Sequence, residues 1–383
     1  YQNLFFAAQL CYGNYSKEKL NSIVEKVLRN LGLNETRDLK VGGVMDKVIS
    51  GGQRKRLNIG LELLREPTVL FVDEPTSGLS SRDSENIMDL LKELALKGKM
   101  VYVVIHQPSS DIFKLFDTLI ILDVGGFQIY YGNPFEAVNY FQDIINAANK
   151  TPGACPECGN VNPEQIFNII ETRVVNEYGQ FTHTRKVSPG QWYQYFKKHL
   201  TIPKVTSTDA PLITTQKIPS KFKQLVVFAK RDILSKLANK QYMVINALLS
   251  PVLSLFMSYF VKYYQVIGET NPTYSFFNNR NIPVYFFMSV VVALFIGLVV
   301  SAEEIFRDRR ILKREKYLQL SRFSYLSSKV GVLFLISAIQ TVCFILVGNL
   351  ILELPATEFQ YWMILFSASC FANLLGLNIS SSF

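Results

Sequence analysis

The pattern of hydrophobic and polar residues divides the chain into two parts that meet near Asn239. Before that point, apolar residues recur at helical spacing or in short runs that predict strands, with polar residues between them. After it, long apolar runs predict helices that cross a membrane, since about 30 Å of hydrocarbon needs about 20 residues. Four spans are predicted, at residues 242–261, 284–302, 330–352 and 361–383.

The first part alternates predicted strands and helices, which is typical of an α/β domain. Residues 69–72 and 100–105 are apolar runs that predict buried strands of a parallel sheet. Residues 118–123 and 127–131 predict a hairpin around Gly125-Gly126. A helix is predicted from a cap at Ser16 to about residue 31.

Residues 50–56 read Ser-Gly-Gly-Gln-Arg-Lys-Arg and introduce a helix with Leu57, Leu61 and Leu64 at helical spacing. The two glycines allow close approach of a ligand and backbone angles that other residues resist. The start of the helix offers N–H groups without an intrahelical partner and the positive end of the helix dipole. This stretch therefore predicts a binding site for a triphosphate.

The strand at residues 69–72 is followed by Asp73-Glu74-Pro75-Thr76. In open α/β sheets, ligands bind at the carboxyl edge of the strands. We expect Asp73 to hold Mg²⁺ through water. We expect Glu74 to orient or deprotonate an attacking water molecule.

These motifs resemble those of ABC-family ATPases. Ser50, Gly51, Gly52 and Gln53 resemble the signature motif, and residues 69–74 resemble the Walker B strand. The position of the D-loop is taken by Ser77, Gly78, Leu79 and Ser80. His106, after the second apolar run, matches the switch histidine. The extended motifs are most similar to the G subfamily, of the pleiotropic-drug-resistance type.

The resemblance implies the C-terminal portion of an α/β P-loop NTPase, followed by an all-α transmembrane domain of the ABC-2 type. It implies a half-transporter that pairs head to tail with a second chain, identical or different. Each ATP would lie between the Walker A loop of one chain and Ser50–Gln53 of the other, with Mg²⁺, Glu74 and His106 acting beside that Walker A loop. The implied activity is ATP-driven export of an amphipathic or lipid-like substrate that the sequence does not identify.

Two features depart from the family pattern. Ser80 stands where the D-loop generally has aspartate, which predicts either altered communication between the two sites or a harmless variant. The sequence G-x-x-x-x-G-K-[ST] does not occur in the chain. We therefore expect a fragment, inactive alone, of a protein whose N-terminal part carries Walker A and the Q-loop. A degenerate, non-hydrolysing protein is the alternative, and the intact Glu74 and His106 argue against it.

The formal net charge of +9 is compatible with nucleic-acid binding or with the cytoplasmic loops of a membrane protein. The apolar runs favour the membrane, and no nucleic-acid partner is predicted. Basic residues precede the first span and fill the segment between the second and third. The positive-inside rule therefore places the ATPase part in the cytoplasm. We expect a multi-pass protein of the plasma (cell inner) membrane.

The basic segment at residues 303–328 resembles the first intracellular loop of the G subfamily, which contains a coupling helix. On that resemblance, Arg314, Glu315 and Lys316 are predicted to transmit movement from the ATPase domain. A solvated loop on the positive side of the membrane would explain the charge equally well. A protein that passes force or signal through its membrane helices, without moving a substrate, is the competing functional class.

The predicted domains are an ATPase part at 1–150, a linker with an amphipathic connecting helix at 151–240, and a truncated membrane domain at 241–383. The connecting helix, at about 221–240, is expected to lie along the membrane surface. Cys155 and Cys158 resemble half of a zinc knuckle, and two free thiols in a turn are the other interpretation.

Overall fold

The structure is a computed structural model that describes residues 1–42, 48–145, 162–176, 178–199, 217–263, 274–354 and 358–382. The chain forms two compact units. The α/β unit comprises Tyr1 and Ser22–Thr214, and the helical unit comprises Gln2–Asn21 and Thr215–Phe383. The first residues of the chain therefore group with the predicted membrane part, although the predicted ATPase part begins at residue 1.

The helices and strands follow one another along the chain, with two short 3₁₀ helices between them. In order they are α1 (Gln2–Cys11), α2 (Lys17–Asn30), α3 (Gly51–Leu63), β1 (Val69–Asp73), α4 (Ser81–Leu96), β2 (Met100–Val104), α5 (Ser110–Phe113), β3 (Leu119–Asp123), β4 (Phe127–Gly132), α6 (Pro134–Ile144), α7 (Pro163–Ile170), β5 (Arg173–Val175), β6 (Phe181–Arg185), α8 (Pro189–His199), α9 (Lys221–Ala238), α10 (Lys240–Val261), a 3₁₀ turn (Phe276–Asn278), α11 (Ile282–Ser301), α12 (Glu304–Glu315), a 3₁₀ turn (Lys316–Leu318), α13 (Arg322–Leu352) and α14 (Glu358–Ser382).

Strands β1 and β2 pair in parallel, with Val69 opposite Met100 and Asp73 opposite Val104. Successive side chains of a strand point to opposite faces of the sheet. On one face, Leu70 packs with Ile87, Leu91 and other buried residues of the helix α4 that connects the two strands. This helix is amphipathic because its apolar residues recur every three to four positions.

The other face of the β1–β2 pair is exposed. Phe71 stacks on Tyr102 with ring centroids 5.0 Å apart, yet 76% of Phe71 and 62% of Val104 remain accessible. The prediction that both strands are buried is therefore wrong for this face. Parallel sheets of α/β proteins are normally covered on both faces. Among the described residues, helix α4 covers one of them.

A second core of the α/β unit lies around the hairpin of β3 and β4. The predicted hairpin is confirmed, and Gly125 and Gly126 take the left-handed backbone angles, with φ of 87° and 76°, that its turn requires. Trp192 of α8 is fully buried there and meets Phe141 of α6 edge-on, with centroids 5.2 Å apart. The stretch predicted as a polar linker therefore adds β5, β6 and α8 to this unit.

In the helical unit, the described residues include four helices long and apolar enough to cross a membrane, which confirms the predicted spans. Helix α13 begins at Arg322 rather than at residue 330, and the charged helix α12 follows the second span along the chain. The four helices that are long and apolar enough to cross a membrane are Lys240–Val261, Ile282–Leu318, Arg322–Leu352 and Phe359–Ser382.

The helical unit buries small polar side chains and exposes large apolar ones. Helix α10 buries Ser250, Ser254 and Ser258, one turn apart, while Phe256 and Phe260 of the same helix are exposed. The hydroxyls of Ser250 and Ser254 donate to backbone carbonyls of α13. Small and hydroxylated residues at helix contacts are typical of membrane helices, because lipid tails provide no hydrophobic drive for burying leucine.

Helix α1 packs on α9 in the helical unit. Its side chains Phe6 and Leu10 share a buried cluster with Val227, Phe228 and Tyr325. These contacts explain why the first helix groups with the helical unit.

Helices α11 and α14 approach closely at Gly297. A Cβ atom added at this glycine would lie 2.5 Å from the backbone oxygen of Ser369 and 3.0 Å from the Cβ of Ala372. At Gly331 of α13, an added Cβ would meet no heavy atom within 4 Å.

We expect Gly297→Ala to destabilise the detergent-solubilised protein by about 1–3 kcal/mol, because the helices would have to separate. Gly331→Ala, the control, should have no destabilising effect, since alanine is the better helix former. Thermal unfolding of both variants measures the difference. Equal melting temperatures would show that the α11–α14 contact is looser than described.

Candidate functional site

The ends of β1 and β2 bring the predicted catalytic residues to the same edge of the sheet. Because Asp73 pairs with Val104, the two strands end in register, and the N–H of Glu74 donates to the carbonyl oxygen of Val104 at 2.9 Å. His106 follows Val104 by two residues along the chain. Asp73, Glu74 and His106 are all exposed at this edge.

The backbone turns sharply just past both strand ends. Glu74 has φ of 42° and Gln107 has φ of 49°, in the left-handed region that side chains other than glycine rarely adopt. Such a conformation costs on the order of 1–3 kcal/mol and tends to occur at functional sites. The surrounding contacts must therefore hold the turn that carries Glu74.

The predicted triphosphate motif forms the start of α3. Ser50 is the N-cap: its hydroxyl accepts from the N–H of Gln53 at 3.1 Å, and the side chain of Gln53 accepts from the N–H of Ser50 at 2.9 Å. This reciprocal pair is a capping box. The positive end of the α3 dipole lies at this exposed serine, as the sequence predicts.

For the glycines of this motif, the predicted unusual backbone angles are not found, and the predicted close approach of a ligand stays a prediction. Neither Gly51 nor Gly52 is among the residues with positive φ, so unusual backbone angles do not explain them. Both glycines pack closely against other residues of the chain. A Cβ on Gly52 would lie 2.6 Å from a carboxylate oxygen of Asp83, and one on Gly51 would lie 3.3 Å from Leu79.

The segment of Ser77, Gly78, Leu79 and Ser80 forms the turn between β1 and α4. Gly78 has φ of 70°, and Ser80 is the N-cap of α4, accepting from the N–H of Asp83 at 3.2 Å. Serine and aspartate are about equally good N-caps. Ser80 therefore keeps the capping contact that aspartate would make within the chain, and altered communication between the two sites and a harmless variant both stay predictions.

The three basic residues of the motif donate to backbone carbonyls. Arg54 donates to Val41 and Gly42, and Arg56 to Leu31, at 3.2 Å in each case. These contacts tie α3 to the segment before it. The sequence predicts no such role, because the acceptors are main-chain atoms that carry no residue signal.

Lys55 makes the corresponding contact with the turn after β1. Its ammonium nitrogen lies 3.0 Å from the carbonyl oxygen of Glu74 and 2.6 Å from that of Ser77. Burial lowers the pKa of this ammonium group, and the negative charge of Glu74 acts in the opposite direction. Sequence reasoning missed this residue as well.

The predicted coupling residues lie at the end of α12 in the helical unit. Glu315 is buried and forms an ion pair, with a bidentate hydrogen bond, to Arg231 of α9. Arg314 is half-buried and Lys316 is exposed. Glu315 therefore fixes α12 to the helix that precedes the first span.

A cluster of buried charges extends this connection between α9, α12 and α13. The ammonium group of Lys329 lies 2.6 Å from Asp232, 3.0 Å from Glu304 and 3.0 Å from Asp308. Lys236 lies 2.7 Å from both Asp232 and Glu304. Burial alone would raise the pKa of Asp232, but the two ammonium groups outweigh it and hold that pKa below its usual value.

Helix α9 turns its charged face inward and leaves part of its apolar face exposed. Asp232 and Lys236 are buried, whereas Phe222, Val226 and Leu237 are exposed. A helix of a water-soluble protein normally does the opposite. This arrangement suits a helix whose exposed side meets a membrane surface, as predicted.

Cys155 and Cys158 lie outside the described residues, so the zinc and free-thiol interpretations both stay predictions. No group of three or more potential metal-ligating His, Cys, Asp or Glu side chains is found in the part of the chain that the structure describes.

Comparison with known proteins finds family matches along most of the chain. Residues 2–77 match the family described as ABC transporter. Residues 106–225 and 223–383 match two families described as ABC-2 type transporter.

Three curated relatives are described as ABC, or ATP-binding cassette, transporters. ABC transporter G family member 28 of Arabidopsis thaliana is 42% identical over 192 residues, which cover 50% of this chain and 16% of that protein. Member 14 of the same family and organism is 40% identical over 197 residues, which cover 48% of this chain and 30% of that protein. The broad substrate specificity ATP-binding cassette transporter ABCG2 of Rattus norvegicus is 40% identical over 141 residues, covering 37% and 21%.

These three matches cover between 16% and 30% of the relatives' own lengths, so the chain spans less than a third of each of them. Among solved structures, cbiO1 from Clostridium perfringens, described as part of the ABC transporter complex cbiONQ, is 26% identical with a TM-score of 0.33. That match covers 39% of this chain and 57% of cbiO1.

We expect Gly52→Ala to destabilise the α/β unit by about 1–3 kcal/mol, because the new methyl group would collide with the carboxylate of Asp83. Asp83→Ala removes the two closest atoms, so the double variant should lose less stability than the two single variants together. Melting temperatures of the three variants test this coupling. Strictly additive losses would show that the two residues do not compete for the same space.

We expect Lys329→Met to destabilise the helical unit by about 3–5 kcal/mol, because it leaves buried carboxylates without their shared cation. The control is Lys262→Met, which removes a longer ion pair, at 3.5 Å, to the exposed Glu353. It should cost at most about 1 kcal/mol. Thermal unfolding in detergent measures both variants. Equal shifts would mean that the cluster contributes no more than a surface pair.

Proposed function

This chain belongs to the G family of ABC transporters, with an ABC ATPase portion ahead of an ABC-2 type membrane domain, and we propose that it acts in ATP-driven transport of a substrate across a membrane. The observation that carries the proposal is the shared edge of β1 and β2, where Asp73 pairs with Val104 and the chain continues directly to Glu74 and, two residues after Val104, to His106. Lys55 ties this edge to the helix that begins with the signature motif.

In this proposal, Asp73 holds Mg²⁺ through water and Glu74 is the general base for the attacking water. The residues fit those roles because Mg²⁺ keeps several of its water molecules, which carboxylates can bind, and both side chains are exposed at the carboxyl edge of the strands. When bound, the metal ion would neutralise negative charge that develops on the phosphate oxygens. His106 would orient the terminal phosphate from the neighbouring strand end.

We propose that the N-terminus of α3 binds ATP held by a second chain. The capping box leaves Ser50 and Gly51 exposed, with the positive end of the helix dipole directed outward. The second chain is another ABC half-transporter, identical or different. The Walker A loop would come from sequence outside this chain, in keeping with the greater length of its relatives.

The proposed setting is the plasma membrane, with the ATPase portion in the cytoplasm, and the proposed cargo is amphipathic or lipid-like. Support for the orientation comes from the basic residues before the first span and between the second and third. The ion pair of Glu315 with Arg231 and the cluster around Lys329 make α9, α12 and α13 a connected group. In this proposal, the group transmits movement of the ATPase portion to the spans.

We expect Glu74→Gln in the intact protein to reduce ATP hydrolysis by at least about 100-fold while ATP still binds, because general-base catalysis contributes about 10²–10⁴-fold. Glu66→Gln is the matched control. Glu66 is also an exposed glutamate with positive φ, 48°, but it precedes β1 instead of following it. Steady-state phosphate release and binding of a fluorescent ATP analogue measure both properties. Hydrolysis by Glu74→Gln at the parental rate would overturn the assignment of the base.

Transport itself is tested with the intact protein in proteoliposomes. Uptake of a fluorescent phospholipid or an amphipathic cation that requires ATP, and that Glu74→Gln abolishes, is expected. Steady hydrolysis without uptake of either probe class would favour the alternative in which the protein transmits force or signal through its membrane helices.

A further inference from the structure

The ammonium group of Lys55 joins two parts of the candidate site that are distant in sequence. Lys55 lies on α3, about one turn after Ser50, and its nitrogen contacts the carbonyl oxygens of Glu74 and Ser77 at 3.0 and 2.6 Å. These two carbonyls bound the turn that follows β1. One charged group therefore holds both ends of that turn from the helix that begins with the signature motif.

The turn needs such a contact because its first residue is conformationally unfavourable. Glu74 has φ of 42°, and its carbonyl oxygen also accepts from the N–H of Ser77 at 3.3 Å, which is a long hydrogen bond. Hydrogen bonds from a charged donor are roughly twice as strong as neutral ones. The contact from Lys55 thus reinforces a weak turn at the residue whose direction matters most for catalysis.

We infer that Lys55 is a positioning residue for ATP hydrolysis, which fixes the peptide of Glu74 and so the direction of its carboxylate relative to the start of α3. The inference rests on the proposed role of Glu74 as the general base. A catalytic group must be held within about 0.5 Å of its productive position by its supporting contacts. The peptide that Lys55 contacts is the one that sets the origin of the Glu74 side chain.

The contact of Lys55 also links the two elements that carry the candidate site. The signature residues Ser50–Gln53 and the base Glu74 are carried by different elements, α3 and the end of β1. Because Lys55 connects them, the two elements are expected to move as one body within the α/β unit. A displacement of α3 would be passed to the carboxylate of Glu74.

The chain offers a matched control at the opposite end of β1. Lys99 is also a half-buried lysine whose ammonium donates to a backbone carbonyl, that of Pro67, at 2.7 Å. Pro67 precedes β1, whereas Glu74 follows it. Loss of either lysine removes a lysine–carbonyl contact at one end of β1. The contact of Lys55 is with the turn that carries Glu74, and that of Lys99 is not.

The test compares Lys55→Met, Lys55→Arg, Lys99→Met and Glu74→Gln in the intact protein. We expect Lys55→Met to lower kcat for ATP hydrolysis about tenfold or more, with KM for ATP changed less than threefold, because binding groups remain while the base is misdirected. Lys55→Arg, which can still donate to both carbonyls, should recover at least about a third of the parental kcat. Lys99→Met should keep the parental kcat, whatever its melting temperature.

The inference is overturned if Lys55→Met keeps the parental kcat, or if Lys99→Met lowers kcat equally, since the contact would then serve stability alone. If Lys55→Met does not fold, Lys55→Leu, which also lacks a hydrogen-bond donor but differs in shape, replaces it, and parental kcat in that variant would overturn the inference in the same way. Failure of the proposed function is distinguishable from these results. It would appear as parental hydrolysis by Glu74→Gln, whereas an inactive Glu74→Gln with a fully active Lys55→Met refutes the positioning role alone.

Discussion

The parallel pairing of β1 with β2 is the interaction on which the candidate site depends. It sets Asp73 opposite Val104, and the N–H of Glu74 extends the ladder by one further hydrogen bond. With a different register, Asp73 and Glu74 would be displaced along the strand direction relative to His106. The pairing is in turn held by α4, whose apolar face covers one side of both strands. The apolar face of α4 thus determines where the strand ends that carry the catalytic groups lie.

Basic side chains bind different kinds of acceptor in the two units. In the α/β unit, Arg54, Lys55 and Arg56 donate to main-chain oxygens and fix the orientation of α3. In the helical unit, Lys236 and Lys329 are buried among carboxylates. Buried ions cost several kcal/mol to desolvate, so such a cluster persists where each charge has partners on more than one helix. The cluster therefore links the start of α13 to the C-terminal half of α9.

The exposed apolar surfaces follow from what surrounds each unit. The outward phenylalanines of α10 and the apolar residues of α9 suit a lipid environment, in which burying serine and exposing phenylalanine is favourable. The exposed face of β1 and β2 is of another kind, since Phe71 and Tyr102 stack on each other without further cover from the described residues. An apolar face of a parallel sheet is normally covered by a second layer.

The sequence by itself determined the α/β and membrane-spanning classes, the strand ends that carry Asp73, Glu74 and His106, and the helix that begins after Ser50. These are local signals: apolar period, run length and residue type next to a strand or helix end. Tertiary structure alone decided that Gly52 is needed for its contact with Asp83 and that α1 joins the helical unit. It also decided that Lys55 holds the turn of Glu74. Each of these depends on an atom far away in sequence, often a main-chain oxygen, and such partners leave no pattern in the residues that contact them.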